Sequence, residues 1–302
     1  MPIQVDNLVF KYMKKTPLEQ EALHHINLTI QEGEFVGLIG RTGSGKSTLI
    51  QQFNGLLKPD SGSVLIDDIS TTGKELKELR KKVGLVFQFP EYQLFEETVY
   101  RDIAYGISKL GLEEKEIRQR VLKAADAVGI PEGILEKSPF ELSGGQKRRV
   151  AIAGVIVMQT KYLIMDEPGS GLDPAGKEEI LNYVSKLHRD YGTAVVLVSH
   201  NMEDIAKYVE RVLVMDGGRI VMDDTPGKVF LRTEELEKIG LRPPDIQYFI
   251  RKIKKIFPDF DDGVMTPDKA ADELERWFLK AGLPQKTDGV TGLSTQKKAG
   301  GQ

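Results

Sequence analysis

A glycine-rich turn between two apolar segments constrains the fold of this chain more than any other feature. Residues 35–53 read FVGLIGRTGSGKSTLIQQF, so a short apolar strand leads through the turn into a segment with helical periodicity. The spacing of glycine, four residues, glycine, lysine and serine is that of a P-loop, and the flanking strand and helix are the context that the motif requires. This arrangement indicates an α/β fold.

The turn provides a cradle for phosphate groups. Its glycines let backbone N–H groups wrap the β- and γ-phosphates of a nucleotide, and Lys46 adds a point positive charge. The Ser47 hydroxyl can bind Mg²⁺, and Thr48 can add a phosphate contact. We therefore assign nucleotide binding to Gly40, Arg41, Thr42, Gly43, Ser44, Gly45, Lys46, Ser47 and Thr48.

Three further apolar runs, VGLVFQ, YLIMDE and AVVLVSH, are typical of buried parallel strands, and each ends in polar residues. Ligands bind at the carboxyl ends of such strands. Asp166 suits support of Mg²⁺ through a water, and Glu167 suits activation of the attacking water. Gln88 can reach the metal or the water, and His200 can orient the γ-phosphate or the water.

The other three histidines receive no role. The sequence predicts that His24 and His25 lie in a polar, solvated turn and that His188 lies among charged neighbours on a helix. These positions are typical of surface histidines, so His200 alone is assigned to the site.

Strand-like segments open the chain, and strands then alternate with helix-length segments, which predicts a mostly parallel sheet with an antiparallel β annex. We predict a nucleotide-binding domain at residues 1–230, with a helical subdomain at about 95–160. Residues 231–283 are predicted to form a C-terminal helical appendage, and residues 284–302 a disordered tail.

Composition excludes several classes of protein. The net charge of −3 gives no electrostatic case for binding nucleic acid, and the absence of cysteine excludes disulfide and thiol chemistry. The longest apolar run, VAIAGVIVM, is much shorter than the roughly 20 residues of a membrane helix. The sequence therefore predicts a soluble, cytosolic chain.

A second possible anion site lies about a hundred residues after the first, in FELSGGQKRR. Its serine and glycines precede a regular run, which predicts a helix whose first N–H groups are unpaired. One bound nucleotide needs only one cradle. The segment therefore makes sense as half of a composite site, with Ser143, Gly144, Gly145 and Gln146 facing a nucleotide held by another subunit.

The order of the P-loop, Gln88, LSGGQ, MDEP, GLD and His200 resembles the nucleotide-binding subunits of ATP-binding-cassette (ABC) transporters over roughly residues 3–230. The resemblance implies an ABC-type P-loop ATPase that binds ATP with Mg²⁺, with Ser47, Gln88 and Asp166 as the metal-binding residues. It also implies that an aromatic residue stacks on adenine, for which Tyr12 is the best match and Phe10 the alternative. Asp173 matches the loop that communicates with the other subunit.

The segments FQFPEYQLFEETV and IGRTGSGKSTLIQQFNGLLKP are also similar to energy-coupling-factor (ECF) micronutrient importers, and most similar to the second of their two ATPase subunits. That resemblance implies a peripheral protein on the cytoplasmic face of the cell membrane. Its implied partners are a related ATPase, a transmembrane coupling protein and a separate substrate-binding membrane protein, with no nucleic acid. We further hypothesise that Glu91, Glu96 and Glu97 meet basic residues of the coupling protein.

Several alternatives remain from the sequence. The chain could serve another class of ABC importer, act as a soluble ABC ATPase on nucleic acid or ribosomes, or be a module without catalysis. Intact Glu167, His200 and LSGGQ argue against the last. The sequence identifies no transported substrate, and it does not decide whether the partner ATPase is a different chain or a second copy.

Overall fold

Strands and helices alternate through most of the chain. The computed structural model describes residues 1–280. In chain order the elements are β1 (Ile3–Tyr12), β2 (Gln20–Ile30), β3 (Phe35–Ile39), α1 (Lys46–Phe53), β4 (Ser61–Ile66), β5 (Ile69–Ser70), α2 (Leu76–Lys82), β6 (Val83–Val86), α3 (Val99–Ala104), α4 (Glu114–Ala127), α5 (Gly144–Ile156), β7 (Tyr162–Asp166), α6 (Pro174–Tyr191), β8 (Ala194–Val198), α7 (Met202–Tyr208), β9 (Arg211–Asp216), β10 (Arg219–Asp224), α8 (Pro226–Leu231), α9 (Thr233–Lys238), α10 (Asp245–Lys254) and α11 (Pro267–Lys280).

Two β-sheets organise these elements. The larger has the order β10-β9-β3-β8-β7-β6, and the smaller, antiparallel sheet has the order β2-β1-β4-β5. Strands β9, β3, β8, β7 and β6 pair in parallel, and β10 joins through an antiparallel hairpin. The expected mostly parallel sheet with an antiparallel annex is confirmed. Because parallel strands end at one edge, the polar residues after β3, β6, β7 and β8 converge there.

Both faces of the five parallel strands of the larger sheet are buried, which explains why these strands read as continuous apolar runs. In β3, Val36 and Leu38 pack toward the smaller sheet and α1, whereas Phe35 and Ile39 pack toward the helices on the other side. Successive side chains of a strand point to opposite faces, so each central strand contributes to both cores. The two cores fix the sheet that carries the candidate site.

Helices α8 to α11 form the C-terminal segment. Within it Ile250, Phe260, Val264 and Ala270 form a small core of their own. Met265 joins the main core beneath the larger sheet. The tail predicted at residues 284–302 lies outside the described residues. None of the helices in residues 1–280 combines the length and hydropathy of a membrane span.

A buried carboxylate links the two sheets at the edge opposite the candidate site. Asp67 follows β4, and its carboxylate accepts hydrogen bonds from Lys82 Nζ at 2.8 Å, Lys161 Nζ at 2.9 Å and Tyr162 Oη at 2.8 Å. Burial alone would raise the pKa of Asp67, but these donors outweigh burial and lower the pKa to about 2. The ionised carboxylate therefore stabilises the folded state.

Asp67→Asn is expected to lower the free energy of unfolding at pH 7 by about 2 kcal/mol, because the folded-state pKa lies below the ordinary value of 3.8. This stabilisation is present above about pH 4 and is lost as the pH falls toward 2. The difference in the free energy of unfolding between wild type and variant should be about half as large at pH 3 as at pH 7. Urea unfolding at pH values from 7 to 3 measures this difference. The control is Asp68→Asn, a substitution at the exposed neighbouring residue. A difference that stays constant over this range would contradict the assignment.

Candidate nucleotide-binding site

The turn between β3 and α1 borders a cleft of about 600 Å³ at the carboxyl edge of the larger sheet. Gly45 caps α1 with φ +103°, and a Cβ there would lie 2.8 Å from the carbonyl oxygen of Ala22. Gly40 has φ +156°, and a Cβ there would lie 2.4 Å from the carbonyl oxygen of Met215. Backbone conformation and the close approach of neighbouring strands therefore both require glycine in this turn.

Lys46 lies under the turn with 6% of its surface exposed. Its Nζ donates to the carbonyl oxygens of Gly40 at 2.6 Å and Arg41 at 3.1 Å. Burial lowers the pKa of the ammonium group, and the carboxylates of Glu167 and Asp166 oppose that shift. A desolvated cation held on neutral carbonyls is suited to receive phosphate oxygens.

Ser47 and Asp166 meet beside Lys46. Ser47 Oγ donates a hydrogen bond of 2.8 Å to Asp166 Oδ2. Burial raises the pKa of the Asp166 carboxyl, and the hydrogen bond from Ser47 opposes the shift. The structure thus brings together two of the oxygen-bearing residues that the sequence assigns to a metal ion.

Glu167 follows β7 immediately, and its carboxylate lies between the side chains of His200 and Gln88. Its Oε1 is 2.9 Å from His200 Nε2, and its Oε2 accepts a hydrogen bond of 3.3 Å from Gln88 Nε2. Its backbone has φ +50°, and its N–H donates to the carbonyl oxygen of Val198 at 3.0 Å. A glutamate in the left-handed region is strained, and such residues concentrate at functional sites.

Tyr12 forms part of the opposite wall of the cleft. Its hydroxyl lies 3.1 Å from Thr48 Oγ1, and its ring is 41% exposed. Phe10, the alternative adenine contact, is 7% exposed and packs edge-on against Tyr12 with the ring centroids 4.9 Å apart. Tyr12 therefore has the free aromatic face, and Phe10 belongs to the core.

Residues 143–146 lie apart from the cleft, and none of them lines its wall within the described chain. Ser143 caps α5: its Oγ accepts from the backbone N–H of Gln146 at 3.3 Å, and Gln146 Oε1 accepts from the backbone N–H of Ser143 at 3.0 Å. This capping box stiffens the start of the helix. The sequence predicts that Ser143 faces a nucleotide held by another subunit, and in this chain its hydroxyl oxygen also caps the helix.

Asp173 is the residue that precedes α6, and its carboxylate lies 3.6 Å from Arg149 on α5. It does not line the cleft either. Within the described residues, the segment assigned to the partner's nucleotide and the loop assigned to subunit communication are thus neighbours of each other, away from the P-loop.

Sequence comparison places the chain in a family. Residues 23–170 match the family model described as ABC transporter. A protein of Acetivibrio thermocellus named energy-coupling factor transporter ATP-binding protein EcfA2 is 56% identical over 93% of this chain and 100% of its own length. A protein of the same name from Enterococcus faecalis is 46% identical over 93% and 99%. The chain belongs to the ECF-type ABC transporter ATP-binding proteins.

Solved structures agree with this family. The structure of cbiO1 from Clostridium perfringens, described as part of the ABC transporter complex cbiONQ, is 40% identical, with a TM-score of 0.67, over 82% of this chain and 98% of that chain. A dimeric, post-hydrolysis structure of the ATP-binding cassette MJ0796, bound to ADP and phosphate, is 31% identical, with a TM-score of 0.69, over 74% and 98%. The predicted family, ABC fold and ATPase activity are confirmed, and the protein is an ATPase.

The sequence assigns no role to His24 and Arg148, which lie in or beside the cleft. His24 is predicted in a solvated turn, but it lies in β2 and lines the cleft, where its Nδ1 is 2.7 Å from Glu21 Oε1. The prediction for its surroundings is wrong because β2 continues through the polar stretch that resembles a turn. Arg148 receives no role from the sequence, yet it is 4% exposed and donates to the carbonyl oxygen of Gln88.

Proposed function

We propose that this ATPase is the motor subunit of an ECF-type importer and that it closes head to tail on a second ATPase to drive uptake of a vitamin or metal-ion micronutrient. One observation carries the proposal. The hydrolytic residues Glu167 and His200 are assembled in the cleft, whereas residues 143–146 are capped and lie away from it, with Ser143 and Gly144 exposed. Such a chain would supply its cleft residues to one ATP site and residues 143–146 to the ATP site of the partner. The dimeric description of the related MJ0796 cassette supports the same arrangement.

In the proposed site, the phosphates of ATP bind residues 40–48 and the adenine stacks on the ring of Tyr12, a residue that is 41% exposed. Glu167 accepts a proton from the attacking water, and His200 holds the γ-phosphate. Both residues now contact each other through Glu167 Oε1 and His200 Nε2. Binding of ATP would therefore exchange this contact for contacts to water and phosphate, so that the carboxylate becomes a free base only when the γ-phosphate is present.

The residues around Ser47 and Asp166 fit a magnesium ion. Mg²⁺ binds oxygen, keeps several waters, and commonly takes one or two protein groups plus the phosphates of the nucleotide. Ser47 Oγ and Asp166 Oδ2 are 2.8 Å apart, with Gln88 bound to Glu167 beside them. We propose that Ser47 and Gln88 hold the ion, with Asp166 acting through a water. When bound, the ion would neutralise developing charge on the phosphates.

The proposed partner ATPase completes each site from the opposite chain. In the first turn of α5 the capping box holds the N–H groups of Ser143 and Gln146, and the N–H groups of Gly144 and Gly145 together with the helix dipole favour an anion. In the closed pair these groups face the γ-phosphate bound to the partner. Asp173 would sense closure through its neighbour Arg149. We propose that the partner ATPase is a related chain of different sequence, as the resemblance to ECF importers implies.

A membrane partner is proposed for the turn after Gln88. Phe89, Tyr92 and Phe95 are 51%, 84% and 58% exposed, although aromatic side chains of this size are usually buried. We call residues 89–95, which carry these three aromatic side chains, the docking turn. We propose that it binds a transmembrane coupling protein, which places the ATPase on the cytoplasmic face of the membrane. A separate membrane protein would capture the substrate.

The domain boundaries stay proposals as well. We propose a nucleotide-binding domain at residues 1–230, whose helical subdomain at about 95–160 carries α3, α4 and α5, and a helical appendage at residues 231–283. The small core of Ile250, Phe260, Val264 and Ala270 supports a distinct appendage, which joins the main core through Leu236, Leu241 and Met265.

Purification of the tagged, full-length ATPase from membranes tests the proposed function. We expect a second ATPase and integral membrane proteins to co-purify, and the ATP turnover of this complex to exceed that of the isolated chain at least tenfold. Addition of DNA, RNA or ribosomes to the isolated chain should leave turnover unchanged. Stimulation by nucleic acid or ribosomes, with no membrane partner recovered, would contradict the proposal.

A further inference from the structure

A charged side chain is buried beneath the docking turn. Arg148 lies on α5, five residues after Ser143, and only 4% of its surface is exposed. Arginine is rarely buried to this degree unless it is paired. The groups that surround Arg148 therefore indicate what it holds in place.

Arg148 lies close to Gln88, Phe89 and Glu91, in the segment that leads from the cleft into the docking turn. Its guanidinium donates to the backbone carbonyl oxygen of Gln88, and the guanidinium carbon lies 5.9 Å from the centroid of the Phe89 ring. Its Nε lies 3.9 Å from Glu91 Oε2. One side chain thus touches the cleft residue, the exposed aromatic residue and the acidic residue of the docking turn.

The contact with Glu91 is incomplete. Arg148 Nε and Glu91 Oε2 are both buried, and neither has a hydrogen-bond partner among the described residues. Their separation of 3.9 Å is about 1 Å longer than a charge-assisted hydrogen bond. A small inward movement of the docking turn would close this gap. Glu91 Oε2 therefore faces inward in this chain, and the contact of Glu91 with basic residues of a coupling protein stays a prediction.

We propose that Arg148 is a positioning residue that couples the docking turn to both halves of the catalytic machinery. One half is Gln88, whose carbonyl Arg148 holds directly. The other half is residues 143–146. Because α5 is continuous from Gly144 to Ile156, a displacement of Arg148 also displaces the start of that helix. This inference rests on the proposed function, since it needs a partner that presses on the docking turn.

If Arg148 has a purely structural role, its replacement should affect stability, ATP binding and turnover differently. An arginine that only fills space would, when replaced, destabilise the chain and weaken ATP binding together with turnover. A coupling role lowers the kcat of the complex while the ATP affinity of the isolated chain and the KM of the complex stay nearly unchanged. Comparison of the isolated chain with the membrane complex separates the two.

The test uses Arg148→Met, which keeps length without charge, Glu91→Gln, which keeps shape without charge, and their combination. We expect each single variant to lower the kcat of the purified membrane complex about tenfold, with KM and ATP affinity changed less than about threefold. The double variant should lose no more than Arg148→Met alone, because the two side chains act through one contact. Arg148→Lys should restore part of kcat. Arg118→Met, an exposed arginine on α4, is the control and should match wild type.

Several outcomes would overturn the inference. They are unchanged kcat in folded, assembled complexes, a loss of kcat matched by an equal loss of ATP affinity, and additive losses in the double variant. If Arg148→Met does not fold, Glu91→Gln decides alone, and wild-type kcat in that variant refutes the coupling. A wild-type complex that shows no stimulation over the isolated chain instead contradicts the proposed function.

Discussion

Replacing Glu167 by glutamine is expected to lower ATP turnover of the assembled complex at least 100-fold while ATP still binds. A positioned general base contributes roughly 10²–10⁴-fold to rate, and the amide cannot accept a proton at neutral pH. The oxygen of the amide can still accept the hydrogen bond from Gln88, and the left-handed backbone suits glutamine as well as glutamate. The substitution should therefore remove the base and leave the cleft intact.

The same variant should accumulate as a closed pair that retains ATP, because in the proposed cycle closure depends on bound ATP and reopening depends on hydrolysis. Size-exclusion chromatography with analysis of the retained nucleotide measures this, alongside steady-state turnover. Glu178→Gln is the matched control, since Glu178 is an exposed carboxylate on α6 that pairs with Lys207. The control should keep wild-type turnover. Wild-type turnover in Glu167→Gln would remove Glu167 as the catalytic base.

The sequence predicts those parts of the molecule that depend on short-range patterns. A P-loop needs only its spacing and its flanking strand and helix, and the ends of buried strands follow from apolar runs. Because parallel strands end at one edge, the sequence alone is enough to place Gln88, Glu167 and His200 together. The structure gives their contacts, with Glu167 lying between the other two.

Contacts between distant segments could not be predicted in the same way. His24 lines the cleft because β2 lies near the hairpin turn of β9 and β10, where the backbone N–H of His24 donates to the carbonyl oxygen of Gly218. Burial of Arg148 depends on how the docking turn packs on α5, about 60 residues away in the chain. Glu91 points inward for the same reason. A charged run in a sequence does not say which of its members turns toward the protein.

Placing aspartate at Gly145 is expected to stop hydrolysis of the ATP bound to the partner without harming this chain. A Cβ at Gly145 meets only Leu172 Cδ2, at the ordinary contact distance of 3.9 Å. A negative charge in the first turn of α5 interacts favourably with the helix dipole, by about 0.3–1 kcal/mol, so the folded chain should be as stable as wild type. In the closed pair, however, the same carboxylate would face the γ-phosphate. Like charges there should prevent closure.

The expected loss is at least about 100-fold in single-turnover hydrolysis of partner-bound ATP, as when one donor to a developing oxyanion is removed. Thermal unfolding and the ATP affinity of the isolated variant should match wild type. Gly133→Asp is the control, because a Cβ there meets no atom within 4 Å and Gly133 lies in a different turn. Wild-type hydrolysis by Gly145→Asp complexes would refute the composite site. Loss of ATP binding by the isolated variant would instead place residues 143–146 on this chain's own nucleotide, because only a group that contacts that nucleotide can weaken its binding without unfolding the chain.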